Sequence, residues 1–126
     1  MENKLFNQFA SYDISENLKV IGFDEICFYS FCPFNMMYPL SSDNYTFYDR
    51  CHPDFLPAPT YQQVIDWFRE KHKLHIEVNY LDNVLPYSSK VTDIQTNTEV
   101  FISKYKEDYY LVLSEAIEYC ICEYNI

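Results

Sequence analysis

The chain has 126 residues, a net charge of −10 from 19 acidic and 9 basic side chains, 48% hydrophobic and 19% aromatic content, and one glycine. That length suits one domain with a single core, and one glycine excludes the phosphate-cradling turns of P-loop and dinucleotide-binding folds. The acidic balance argues against direct nucleic-acid binding, which gains from clustered Lys and Arg, and suits either solubility or a basic partner.

In chain order, residues 13–21, DISENLKVI, place Ile14, Leu18 and Ile21 at helical spacing, with Asp13 or Ser15 to cap the start. Gly22 then falls where a helix ends in a left-handed residue. Residues 25–31, EICFYSF, read as a buried aromatic strand.

Residues 32–59, CPFNMMYPLSSDNYTFYDRCHPDFLPAP, hold five of the six prolines and no sustained period, so they predict a long irregular excursion. Its Phe34, Met36, Met37, Tyr38, Tyr45, Phe47, Tyr48 and Phe55 make it too aromatic for disorder. They need either a small core of their own or a partner. Aromatic and Met side chains are enriched at interfaces, which makes Phe34, Met36, Met37, Tyr38, Tyr45, Phe47 and Tyr48 the candidate partner-binding residues.

Thr60 and Gln63 match the T-x-x-Q capping box behind Pro59. The helix YQQVIDWFREKH beyond it predicts Tyr61, Val64, Ile65, Phe68 and His72 along its buried stripe and Trp67 on a flank. LHIEVNYL alternates Leu74, Ile76, Val78 and Tyr80 against His75, Glu77 and Asn79, a half-buried strand. A turn over Asp82–Pro86 leads to a second strand near 87–96, and EVFIS predicts a third. From about Lys106 a last helix turns Tyr110, Leu113, Ile117, Cys120, Ile121 and Tyr124 inward, with Glu107 and Asp108 in its first turn. This order predicts one α+β domain over residues 1–126, with helices packed on one face of a small antiparallel sheet and 32–59 as a long aromatic-rich loop.

Candidate chemistry is thin. Cys51 and His52 are adjacent and diverge in an extended loop, and His72 and His75 straddle a helix end, neither being zinc-ligand spacing. Cys120 and Cys122 sit about 200° apart on a helix and cannot share an ion or a disulfide. Cys51 or Cys32 beside His52 or His72 lacks an activating base or oxyanion-hole sequence. Asp66 and Glu70 lie beside Arg69 and Lys73 as a solvated salt-bridge face, and Asp24-Glu25 predicts no cleft. No catalytic residue, metal or cofactor is expected. The odd set of five cysteines, the mixed opening MENKLFNQFA and the short apolar runs predict reduced thiols in a cytoplasm and no membrane span.

Three stretches carry a family resemblance. NLKVIGFDEICFYS (17–30) is similar to a recurring LKELGFDEPCF segment, and APTYQQVIDWFREKHKLHIEV (58–78) to APLYQQAFDWFREKY followed by a strand. KYKEDYYLVLSEAIEYC (104–120) is a looser match to a closing helix that usually starts Tyr-Glu-Glu-Ala. The chain departs at Ile26, where the family has Pro before the Cys, and in lacking that Tyr-Glu-Glu-Ala start. The family comprises small proteins of phages, prophages and other mobile elements, mostly without assigned function. The matching residues are caps and core, so the resemblance implies a fold and a genetic setting, not a site. That setting implies a non-enzymatic counter-defence inhibitor, similar to anti-CRISPR proteins. It would bind a host protein, a basic guide-RNA-dependent nuclease in the bacterial cytoplasm, through the acidic, aromatic-rich surface of residues 31–55. The alternatives are a self-associating regulatory or scaffolding protein of the element, and a metal protein or enzyme using Cys51, His52, His72 and His75.

Overall fold

The computed structural model describes residues 8–25, 27, 29–31, 37–39 and 56–124. The fold is α+β, and the chain forms two compact units, Met1–Tyr61 and Gln62–Ile126.

In the first unit, helix α1 spans Tyr12–Val20. Ser11, extended at φ −64° and ψ 166°, caps it by accepting the Ile14 N–H at 3.2 Å. The cap is therefore neither Asp13 nor Ser15. Asp13 complements the dipole in the first turn, and Ser15 lies on the buried face beside Ile14 and Leu18. The helix stops in a Schellman arrangement around Gly22, whose φ is +97°. Gly22 N–H donates to the Lys19 carbonyl at 3.2 Å and Phe23 N–H to the Leu18 carbonyl at 2.9 Å. Phe23 and Leu18, the pair such a cap brings together, are both buried.

Next come three short antiparallel strands: β1 (Tyr29–Phe31), β2 (Met37–Pro39) and β3 (Leu56–Ala58), in the order β2-β1-β3. The excursion over 32–59 is thus not irregular throughout, because 37–39 and 56–58 flank β1 as strands. Strands of three residues are too short to show a period. Pro39 and Pro57 are tolerated because β2 and β3 are edge strands, which need no second ladder of N–H groups. α1 lies against β3, with Tyr12 packed on Leu56 and Ala58. Ala10 N–H donates to the Pro59 carbonyl at 2.8 Å, so the segment before α1 pairs with the one after β3.

Helix α2 spans Tyr61–His72 and buries Tyr61, Val64, Trp67 and Phe68, while Ile65 and His72 are half-buried. Trp67 thus belongs to the buried stripe and not to a flank. Its ring packs edge-on against Phe68 at 5.0 Å, enlarging the apolar face beyond the i, i+3, i+4 set. Lys73, at φ 57°, ends the helix, and its carbonyl accepts the Ile94 N–H at 2.9 Å.

The second sheet has β4 (Leu74–Tyr80), β5 (Tyr87–Asp93) and β6 (Thr98–Ile102) in sequence order, all antiparallel. The described residues therefore form two small sheets, one in each unit. Ile76 opposes Val91, which opposes Phe101, and a bulge between Val91 and Thr92 leaves Val100 as the extra residue of β6. Helix α3 (Tyr109–Tyr124) crosses this sheet, touching all three strands. It buries Val112, Leu113, Ala116, Ile117, Cys120 and Ile121 on Leu74, Ile76 and Val91, and Phe101 stacks on Tyr119 at 5.0 Å. α3 starts later than Lys106, because both backbone groups of Lys106 pair with Tyr87. Asp108 is its cap, and one carboxylate oxygen accepts Tyr110 N–H at 2.9 Å and Leu111 N–H at 3.2 Å. Among the described residues no helix is long and apolar enough to cross a membrane.

A Cβ at Gly22 would meet no atom within 4 Å, so replacing it strains only the backbone. Gly22→Ala is expected to lower the unfolding free energy in urea by about 1 kcal/mol, the cost of a left-handed L-residue, with Gly22→Asn losing less.

Candidate functional site

Phe34, Met36, Tyr45, Phe47 and Tyr48 lie outside the described residues, as do Cys32, Cys51, His52 and Phe55. Met37 and Tyr38 belong to β2, opposite Phe31 and Ser30 of β1.

The described thiols divide by environment. Cys27 and Cys120 are buried, and burial, helped by the charge of Glu25 and of Glu123 respectively, pushes each thiol up to about 12. Cys27 Sγ donates to the Glu25 carbonyl at 3.5 Å. Both thiols are therefore protonated at neutral pH, the unreactive state. Cys122 is free and exposed, on a different side of α3 from Cys120. His72 packs edge-on to Trp67 at 4.7 Å and against Phe68 at 5.7 Å, and burial lowers its pKa. His75, on β4, lies 4.0 Å from Glu77. Asp66 accepts from Arg69 and Gln62 at 2.8 and 3.0 Å on the wet side of α2. Among the described residues no three His, Cys, Asp or Glu side chains converge as a metal site would require. Away from α3, Lys90 sits between Glu77 and Glu99 at 2.9 and 3.3 Å. Its hydrogen bond to Glu77, and then that to Glu99, raise its pKa and hold the ammonium charged.

The distinctive surface is the end of the second sheet where β4 turns into β5. Tyr80 pairs with Tyr87 across the hairpin, their rings 6.2 Å apart. The Tyr87 ring meets Tyr109 edge-on at 5.4 Å, and Tyr109 meets Tyr110 at 5.1 Å. In the turn, Asp82 Oδ1 accepts the N–H groups of Val84 and Leu85 at 2.9 and 3.2 Å. Leu81 N–H donates to the Pro86 carbonyl at 2.7 Å, and the Tyr80 hydroxyl donates to Asn83 Oδ1 at 2.6 Å. The result turns apolar groups outward, with Tyr80 62% and Val84 75% exposed and Leu81 and Leu85 exposed beside them.

Tyr105, Tyr109 and Leu111, also exposed, join the same end because of the path the chain takes between β6 and α3. Ser103 N–H donates to the Ser89 carbonyl at 2.9 Å, while Ser103 Oγ accepts the Ser89 N–H at 2.8 Å and donates to the Lys104 carbonyl at 3.1 Å. Ser88 Oγ donates to the Ser103 carbonyl at 2.8 Å. Lys106 then pairs with Tyr87 through both backbone groups, so Lys104 and Tyr105 together stand opposite Ser88. Isolated exposed apolar side chains are ordinary, whereas a set gathered on one end is a candidate interaction surface. Sequence reasoning placed Tyr80 on the buried side of β4 and took 82–86 as a plain turn. Alternation does continue to Tyr80, but the strand outruns α3, whose first ring covers Tyr87 and not Tyr80. The available signal was LDNVLPY, a turn with three aliphatic residues.

Comparison with models of known protein families, with curated proteins and with solved structures gives no match for this chain.

Two measurements check this geometry. Ser103→Ala leaves the buried Ser89 N–H without its acceptor and is expected to cost about 1–3 kcal/mol in chemical unfolding. Ser89→Ala removes a buried hydroxyl that has no hydrogen-bond partner among the described residues and is expected to be neutral or stabilising. Iodoacetamide on the native protein, mapped by peptide mass, is expected to modify Cys122 and to reach Cys27 and Cys120 only after denaturation.

Proposed function

We propose that this chain is a non-enzymatic binding protein that works by occupying a basic protein partner. In the finer reading it is a phage-encoded counter-defence inhibitor in the bacterial cytoplasm, and the partner is a host guide-RNA-dependent nuclease. The observation that carries the binding role is the exposed Tyr, Leu and Val surface at the β4–β5 end of a chain with net charge −10. Aromatic and aliphatic anchors supply contact area, and negative charge steers a basic partner and disfavours acidic ones. Nucleic-acid enzymes carry basic channels of that kind. Cys27 and Cys120 are buried and held protonated, which argues against covalent catalysis through those two thiols. The identification of the host nuclease and of the phage setting rests on the sequence resemblance.

The test is a tagged pull-down from host lysate, with and without nuclease treatment, read by mass spectrometry. The expected result is one stoichiometric, basic, nucleic-acid-binding protein retained after nuclease treatment. Recovery of the chain alone, or of partners lost with the nucleic acid, contradicts the proposal. Replacing Tyr45, Phe47 and Tyr48 together by Ala is expected to abolish that capture with the circular dichroism spectrum unchanged. Undiminished capture removes the excursion from the binding surface.

A further inference from the structure

We infer that the β4–β5 end of the second unit is itself a docking surface, and that its occupant is an arginine-bearing segment of a basic protein. The inference rests on the binding role proposed above and names the residues and the chemistry. Three properties of this end lead to it.

The first is pre-organisation. Val84 and Leu85 are held outward by the Asp82 carboxylate, and Tyr80 is tied to Asn83 through its hydroxyl. Tyr109 is set beside Tyr87 by the Asp108 cap and the Tyr87–Lys106 pairing. Side chains fixed in advance lose little freedom when a partner arrives.

The second is ring chemistry. The Tyr80, Tyr87 and Tyr109 rings meet at 62° and 89°, so they offer faces in different directions instead of a closed stack. A guanidinium plane packs on such faces and keeps its edge donors for carboxylates. An ammonium has no plane and stays more strongly hydrated.

The third is charge, which decides among occupants. Asp82, Glu107 and Asp108 lie exposed at this end. Lys106 is ion-paired to Glu115, leaving Lys104 as the exposed cation between Ser103 and Leu111. A second copy of the chain would bring the same carboxylates and another net charge of −10 against this face. An acidic or neutral peptide would bring no positive charge to offset the negative charge of these carboxylates. An arginine-bearing segment satisfies both the rings and the charges.

The probes are two nine-residue peptides, one all arginine and one all lysine, titrated into 15N-labelled protein at physiological salt. Peptides of equal charge separate the guanidinium from simple attraction to an acidic protein. The arginine peptide is expected to bind about tenfold tighter and to shift the Tyr80, Val84 and Tyr109 amides first. In the double variant Tyr80→Leu, Tyr109→Leu, which keeps apolar bulk and removes the rings, the preference is expected to fall to parity. Val84→Ser, at a side chain 75% exposed, is a second variant that leaves the core untouched and is expected to weaken the arginine peptide several-fold. Equal affinity for the two peptides, shifts spread evenly over the acidic surface, or a dimer in light scattering that hides the Tyr80 and Val84 amides would each overturn the inference. Capture of a basic partner without an arginine preference refutes this inference and leaves the proposed function standing. An arginine preference at Tyr80 and Tyr109 without any basic partner in the lysate does the reverse.

Discussion

Two backbone hydrogen bonds between Tyr87 and Lys106, at 2.9 and 2.7 Å, organise the β4–β5 end of the second unit. Tyr87 already pairs with Tyr80 across the β4–β5 hairpin, so its backbone joins that hairpin to the chain leading into α3. Asp108 lies two residues beyond Lys106, and its cap fixes the first turn of the helix. The Tyr109 ring then falls against Tyr87, and the three tyrosines form one surface. Each of these hydrogen bonds contributes only about 1 kcal/mol net, but together they fix the register of a segment that has left the regular sheet. The Ser88–Ser89–Ser103 cluster works alongside them, since a serine hydroxyl takes the place of a ladder carbonyl for the Ser89 N–H.

What this end leaves undone is as informative as what it makes. Each Å² of apolar surface left in water forgoes about 25 cal/mol, and Val84, Tyr80, Leu81 and Leu85 are all left there. On the α3 side of the same sheet, Ile76, Val91 and Ile117 are buried, so the sequence has residues suited to a core and uses them where the helix covers. The hydrogen bonds of Asp82 and of the Tyr80 hydroxyl act to hold the exposed set in place, not to hide it. The Glu77–Lys90–Glu99 cluster shows that this chain can also finish a sheet face with paired charges. The apolar end beside such a face is the observation on which the proposed binding role rests.

The longer elements were legible in the sequence because each spans enough residues for its period to show. The strand read over LHIEVNYL ends one residue earlier, at Tyr80, the α2 capping pattern marks the Tyr61 start, and Gly22 announces the end of α1. Short elements were not legible. β2 and β3 are three residues each, and their prolines argued for loop where an edge strand accepts them. Ser11 was passed over as the α1 cap because Asp13 and Ser15 stand closer to the apolar stripe, yet only Ser11 has the extended backbone a cap needs. The aromatic excursion, where aromatics are dense, is the candidate partner-binding stretch the sequence offers, and most of it lies outside the described residues. The set at the β4–β5 end is scattered over residues 80–87 and 105–111, and only strand register brings it together. Alternation placed Tyr80 correctly on the face it shares with Ile76, but could not show how far α3 extends.

The account joins an acidic chain, a pre-set tyrosine and aliphatic end, and a basic partner that this end engages. The measurement that bears on it most directly is hydrogen–deuterium exchange on the protein alone and bound to the partner it captures. The account predicts added protection in the amides of residues 80–87 and 103–111, with little change across α2 and the remainder of the second sheet. Protection confined to other parts of the chain, with 80–87 and 103–111 exchanging as in the free protein, would contradict it.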